Sequence, residues 1–484
     1  MLLTQTNQSF QDYNMKKILL LTLPLLLLAS PSNDMQDRIQ SLEKQLQEIH
    51  DDLDERMPII EKNERKSILD KVNFSPELQL RFDQFNYSNR GIEGENTLIT
   101  DTSHPDFGKQ RRDEFNKSFD PSVFMRFRLN MSANIGDAKF HGRLVYGNST
   151  QSNQRLCILS RDIKSGATSS SAFDVDRAYV DYSPNREAEY AFTFTFGLLP
   201  TTDGSPMQYK QDKKRTSLFP SLVFDMNTYG IIATQKIAKE TFLRLIIAKA
   251  YTLRTNFYPY QCNRENIFNA SVIGMYADTK YNFLGDGLLS FGVNTLSNFK
   301  AQPYLGPDMD IKDANDLGTM ITLGLGTDIT NLVDTQTTLF IHTALSNPHP
   351  NGKIDDYQIT VSNPDGFTDA SYATGPMLQK NGYSVFVGTK YKFNDRWNMG
   401  AEYNYGSKYW FSATQGAEDM FNKLSTRGHA YELYTNWTYA KHLNARLSYL
   451  GIKENYTGSG WHFGEPAKKD ATQDIFSLTL DARF

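Results

Sequence analysis

The 484-residue sequence predicts an all-β fold, a transmembrane antiparallel β-barrel of about 16 strands with a short N-terminal α-helical coiled coil. Three observations predict it: hydrophobicity that alternates with a period of two from residue 75 onward, connections that alternate between short and long, and an export signal near the start. The composition agrees. The 31 Phe, 26 Tyr, 4 Trp and 31 Gly suit strands and turns, whereas 39% hydrophobic residues cannot supply several helices of about 20 apolar residues each. A net charge of −4 gives no basic excess for a nucleic-acid partner. Cys157 and Cys262 are the two cysteines, without CxxC or Cys/His spacing, so no metal and no cofactor is expected; they form either one disulfide or two free thiols.

Taken in order, residues 1–14 read as an upstream extension or mis-start, because Met15 stands directly before Lys16 and Lys17. The 12-residue apolar run Ile18–Ala29 follows, with small residues at Ser30 and Ser32, so residues 15–32 read as a secretory signal peptide. The run is too short to cross a bilayer core of about 30 Å. Over 33–58, Met35, Ile39, Leu42, Leu46, Ile49 and Leu53 recur at spacings of four and three, a heptad seam that Pro58 stops. So short a coil is marginal alone. It reads either as a solvated helix or as a periplasmic element that tethers the protein or joins a homotrimer. Residues 59–74 are a linker, and 75–484 the barrel.

Within the barrel, Val123, Met125, Phe127, Leu129 and Met131 occupy one face of a strand while Arg126, Arg128 and Asn130 occupy the other. A turn at Gly136-Asp137 sets Ile135 opposite Ala138, Asn130 opposite Arg143 and Met131 opposite Gly142, so polar residues meet polar ones. The same reading along the chain starts strands near residues 75, 121, 138, 174, 190, 226, 240, 270, 287, 317, 335, 382, 397, 429, 441 and 473. Seven connections are short and eight are long, and the two kinds never swap places. All long loops therefore lie at one end, and both the start of the barrel and Phe484 lie at the other, expected to be periplasmic.

The chain ends Phe476-Ser477-Leu478-Thr479-Leu480-Asp481-Ala482-Arg483-Phe484, apolar at every second position. This resembles the C-terminal signal that the bacterial barrel-assembly machinery recognises, with Phe484 as its terminal aromatic. The plan of signal, coiled coil and barrel resembles an uncharacterised porin-like outer-membrane family of epsilon-proteobacterial type. It is also similar to 16-stranded, phosphate-selective porins that carry a coiled coil, although no matching basic phosphate motif is present. The resemblance implies the outer membrane of a Gram-negative cell, with lipid, the assembly machinery and small solutes as partners.

If the apolar faces meet lipid, the lumen receives Arg81, Arg126, Arg128, His141, Arg143, Arg177, Arg244, Glu402 and Glu432, together with Asp83, Asp181, His342, Arg446 and Asp481. Arg126, Arg128, Arg143 and Arg177 fall on three consecutive strands and form a basic wall that either steers solutes or pairs with loop carboxylates. By resemblance, Lys210, Lys213, Lys214 and Arg215 of the third long loop line a constriction; otherwise they form a solvated external cluster. The acidic run Asp308, Asp310, Asp313 and Asp316 lacks the glycine and glutamate of a calcium loop.

These features favour passive diffusion of small hydrophilic solutes with a mild anion preference, since about 16 strands leave an aqueous lumen. The alternatives are a loop-plugged barrel serving structure or tethering, and a sheath for an electron-transfer partner, a haem protein because the chain has no CxxCH. An enzyme is not expected, because it would need Ser and His together on the lipid side, while His141, His342 and His442 read as inward-facing.

Overall fold

In the computed structural model, the described residues are 38–52, 57, 72–92, 97–98, 110–111, 115–149, 174–250, 270–298, 304–305, 311–312, 316–363, 366–414, 419, 421–456, 465–466 and 468–484. The export signal, Cys157 and Cys262 lie outside them, as does most of the acidic run. The chain divides into two units, residues 1–71 and 72–484. In the first, residues 38–52 are helical, and Ile39, Leu42, Leu46 and Ile49 are exposed on that single helix.

The second unit is a closed antiparallel barrel. Its strands are β1 (Val72–Ile92), β2 (Ser122–Ile135), β3 (Ala138–Ser149), β4 (Asp174–Tyr182), β5 (Phe192–Leu198), β6 (Thr228–Ala238), β7 (Thr241–Ala250) and β8 (Ser271–Tyr281), then β9 (Asp286–Ser297), β10 (Gly318–Thr330), β11 (Thr337–Pro350), β12 (Gly382–Lys392), β13 (Trp397–Gly406), β14 (Gly428–Ala440), β15 (Leu443–Tyr456) and β16 (Lys468–Arg483). Each pairs with its neighbours in sequence, and β16 returns to β1 from Glu77↔Arg483 to Ile92↔Lys469. Closure removes both sheet edges, so the backbone polar groups of the wall are satisfied without water. The sixteen strands are those the alternation predicts. The β2–β3 register is also as read, with Ile135↔Ala138, Asn130↔Arg143 and Met131↔Gly142. Gly136 closes that turn at φ 58°, where a side chain would be strained.

Long and short connections segregate. Val72 pairs near the Gly136 turn, and the backbone N–H of Phe484 donates to the Pro76 carbonyl at 3.1 Å, so both ends of the barrel chain lie at the short-turn end. The long connections carry further structure: Phe115–Ser118 extends the pairing of β1, and Ile354–Asn363 forms a hairpin with Gly366–Pro376.

The outer face is apolar all round, with Leu78, Ile247, Ile273, Leu325, Leu345, Leu433, Leu447 and Leu478 exposed on it. Near the short turns, Tyr182, Tyr190, Phe283, Tyr391, Phe393, Trp397, Trp437 and Tyr439 form an exposed aromatic girdle, with Trp397 and Trp437 stacked across the β13–β14 pair. This is the surface a strand barrel presents to lipid.

The interior corrects one expectation. A water-filled lumen lined by polar side chains is not what β6–β12 enclose. Ile232, Ile246, Tyr276, Leu296, Phe340 and Phe386 point inward there and pack against Met207, Phe219, Leu222, Val223 and Phe224 of the third long connection and Trp410 and Phe411 of the seventh. The inner faces of these strands therefore combine apolar residues with buried polar pairs such as His342–Asp328 at 2.7 Å and Arg244–Asp278 at 3.0 Å, and a period-two reading cannot tell an apolar residue that meets an inserted loop from one that meets lipid. A second apolar cluster, Phe85, Tyr87, Phe119, Phe124, Phe421, Leu450 and Ile475, lies toward the long-loop end between β1, β2 and β14–β16.

Candidate functional site

The arginines that the sequence assigns to one basic wall line a strip along β15, β16 and β1–β4, set against the inserted third connection, residues 199–227, while further buried charged pairs lie on β7–β14. This segment folds inward because its apolar residues Phe219, Leu222, Val223 and Phe224 gain burial against the inward-facing apolar residues of β8–β11, while Asn294 donates to the Val223 carbonyl at 3.3 Å. Ser221 donates to the Gly204 carbonyl at 2.8 Å, closing the segment on itself. A Cβ on Gly204 would stand 1.6 Å from the Phe219 carbonyl oxygen, so only glycine admits this approach.

Beyond its apolar base, the tip of the segment crosses the lumen close to the short-turn end. Lys210 pairs with Glu432 of β14 at 2.5 Å, and its carbonyl accepts from Asn436 at 3.2 Å and Arg446 at 3.4 Å. Arg483 donates to the carbonyls of Gln211 at 3.0 Å and Asp212 at 3.3 Å, while Lys390 pairs with the Asp212 carboxylate. Glu402 and Glu432 are direct cross-strand neighbours and share the ammonium group of Lys423 from the seventh connection. All three side chains are buried. Two like charges so close would repel, and the two lysines are what allow them to stay.

The basic wall is present and partly neutralised. Arg143 donates through Nε and Nη2 to both oxygens of Asp176 at 2.6 and 2.7 Å, and Arg128 lies 3.9 Å from the same carboxylate. Arg177 reaches Asp203 of the third connection at 3.2 Å and the Thr202 carbonyl at 3.0 Å. Arg81 pairs with Asp83 at 2.7 Å and lies over the Phe421 ring, and Arg244 and Arg215 share Asp278 at 3.0 and 3.2 Å. His141 stacks on Tyr179 and approaches Asp181 at 3.4 Å. Lys213 lines the crevice beside Arg126 and Arg128, and Lys214 is exposed.

Sequence reasoning missed Asp176, Asp203 and Lys423. Strict alternation sends Asp176 outward because Arg177 points in, but the β3–β4 register shifts between Arg143 and Leu144, and this bulge turns both residues inward. Asp203 and Lys423 sit on long connections, where no periodicity assigns a face. His442 is corrected as well: it lies exposed at the short-turn rim, stacked on Phe484 at 5.3 Å rather than facing the lumen.

Two spaces open along the strip. One, of about 190 Å³, lies at the short-turn mouth between Asn73, Asn130, His141, Arg143, Arg177 and Tyr179. The other, one step deeper, is a tight crevice of about 10 Å³ between Arg126, Arg128, Arg446, Asp481 and the loop residues Gln211 and Lys213. At the opposite rim, Lys408 donates to Glu465 at 2.8 Å. Burial raises the Glu465 pKa, yet the hydrogen bonds from Lys408 and Tyr409 outweigh it and hold the carboxyl below its ordinary value.

A family model described as "Protein of unknown function (DUF3373)" matches residues 116–480. No curated protein matches the chain. Among solved structures, OprB of Pseudomonas putida is 12% identical, with 87% of this chain and 96% of that one covered at a TM-score of 0.48. The outer membrane channel DcaP of Acinetobacter baumannii is 15% identical, covering 86% and 98% at 0.43. OmpT, an outer membrane protein of Vibrio cholerae, is 10% identical, covering 85% and 97% at 0.42. At this level of identity and superposition these likenesses do not bear on function.

Proposed function

Since the chain belongs to that family, a protein of unknown function (DUF3373), we propose that it is an outer-membrane channel of a Gram-negative cell through which small hydrophilic solutes diffuse passively, with a modest preference for anions. The observation that carries this reading is a closed sixteen-strand barrel, apolar outside, that keeps an arginine-lined polar strip beside an inserted loop. Buried guanidinium groups in a hydrocarbon-surrounded wall are retained at a cost, and a hydrated path for charged solutes is the use that accounts for it. The passage is narrow, because the third and seventh connections fill the β6–β12 half. The helix at 38–52, with its exposed apolar seam, would join three copies or tether the barrel on the periplasmic side.

Planar-bilayer recording tests the proposal. Small, discrete steps are expected, with a reversal potential in a salt gradient on the anion side that fades as salt shortens the Debye length from about 30 Å at 0.01 M to about 10 Å at 0.1 M. Arg126→Gln with Arg128→Gln should move it toward cations, whereas Arg143→Gln, whose charge Asp176 already balances, should change it less. Absence of any conductance would favour a second reading, a barrel plugged by its loops and serving structure, which the apolar filling of the β6–β12 half supports.

A further inference from the structure

The larger space, of about 190 Å³ at the short-turn mouth, is walled by two rows of side chains that the register of β1–β4 sets side by side. Asn73, Ser132, His141 and Tyr179 stand opposite one another in the first row, and Ser75, Asn130, Arg143 and Arg177 in the second. The charges of this wall are already met. Asp176 takes Nε and Nη2 of Arg143, Asp203 takes Arg177 at 3.2 Å, and Asp181 stands 3.4 Å from His141. No carboxylate lines the space itself. It therefore offers hydrogen bonds more than a charge to recognise, and those groups are of both kinds. Asn130 Nδ2 donates to the Ser75 carbonyl at 3.1 Å and to Glu77 at 2.8 Å, which fixes Oδ1 as an acceptor. The side chains of Asn73, Ser75 and Ser132 and the Tyr179 hydroxyl make no hydrogen bond to another described residue, and amides and hydroxyls both donate and accept. The Tyr179 ring is held in place by stacking on His141, with 4.7 Å between centroids.

We infer that this mouth is a subsite for one sugar ring, carried either by a free saccharide or by the end of a glycan chain. Neighbouring sugar hydroxyls each donate and accept, which matches the mixed groups of the two rows; the oxygens of a carboxylate or phosphate only accept and would face Asn130 Oδ1. The C–H face of the ring packs on an aromatic side chain, which Tyr179 supplies with a hydroxyl at its edge. The space equals roughly six waters at about 30 Å³ each, the room of one ring rather than two. Barrel mouths with a few fixed polar groups are common ligand sites. The inference goes beyond the channel reading and does not depend on it, because Asn73 and Ser75 are exposed at the mouth whether or not a solute passes the third connection.

The test uses the full folded protein in a sugar-free detergent, read by saturation-transfer NMR with glucose, chitotriose, sodium succinate and cyclohexanol, with the same preparations reconstituted in planar bilayers. A sugar should take up saturation in the millimolar range expected of so small a ligand, and succinate and cyclohexanol should not. Tighter binding of glucose marks a free saccharide, and tighter binding of chitotriose marks a glycan end. Tyr179→Ala with Asn73→Ala should weaken sugar binding about tenfold or more, since a ring contact and the hydrogen bonds of both side chains are lost, while Arg186→Gln on the exposed β4–β5 turn leaves it unchanged. No saturation of either sugar, equal saturation of succinate or cyclohexanol, or binding that the double variant leaves intact would overturn the subsite. The wild-type comparison of the sugars with succinate and cyclohexanol decides the matter even if the double variant does not fold. Sugar binding without conductance would keep the subsite and remove the channel reading; conductance without sugar binding would do the reverse.

Discussion

Lys423 shows how much of the interior depends on single charges. It is buried between Glu402 and Glu432, and Lys210 compensates the second of these carboxylates from the other side. Both glutamates were legible as inward-facing, since each lies on a strand whose alternation assigns its face. Their partner was not, because position 423 belongs to a connection whose path depends on contacts far away in sequence. Lys423→Met should leave two adjacent carboxylates with a single cation and destabilise the folded barrel by about 3–5 kcal/mol. The temperature at which the protein loses its heat-modifiable band on gels should fall accordingly. An unchanged temperature would mean that the two carboxylates are satisfied in another way.

The third connection is the element that decides what kind of lumen this barrel has. Its apolar residues fill one half, and its tip meets β12, β14, β15 and β16 through Asp212, Lys210 and the carbonyls of residues 210–212. Gly204→Val cannot keep the close approach to Phe219, so the segment should leave the lumen. Single-channel conductance should then rise several-fold, while heat modifiability shows the wall still closed; equal conductance would remove the loop from the account of the passage. The last strand carries the complementary case. Phe484 lies exposed outside the barrel, stacked on His442, and its N–H caps the β1 pairing through Pro76. Deleting it should leave exported but unassembled protein, since β16 must be recognised and then close on β1. Normal amounts of folded barrel in the truncated protein would count against Phe484 as the assembly signal.

For the whole molecule the decisive quantity is orientation. All seven short turns share one end with Val72 and Phe484, and the long connections share the other. With Cys157 and Cys262 replaced by serine, a cysteine at Lys380, exposed in the long 351–381 connection, should react with an impermeant reagent on intact cells. One at Asp334, in the short turn after β10, should not. The reverse pattern would invert the molecule and place the arginine-lined mouth on the outside.

The sequence by itself determined the number of strands, the β2–β3 register, the lipid-facing surface and the segregation of loops, because each follows from a local period of two interrupted by turn residues. Tertiary structure alone decided what fills the barrel. Ile232, Tyr276, Phe340 and Phe386 read as ordinary strand hydrophobics, and nothing local distinguishes a side chain facing lipid from one facing an inserted loop. The bulge that turns Asp176 toward Arg143 depends likewise on how β3 and β4 pair across a long connection. Burial against a distant segment is a property of the assembled chain, so the wall could be read residue by residue, while the space inside it required the fold.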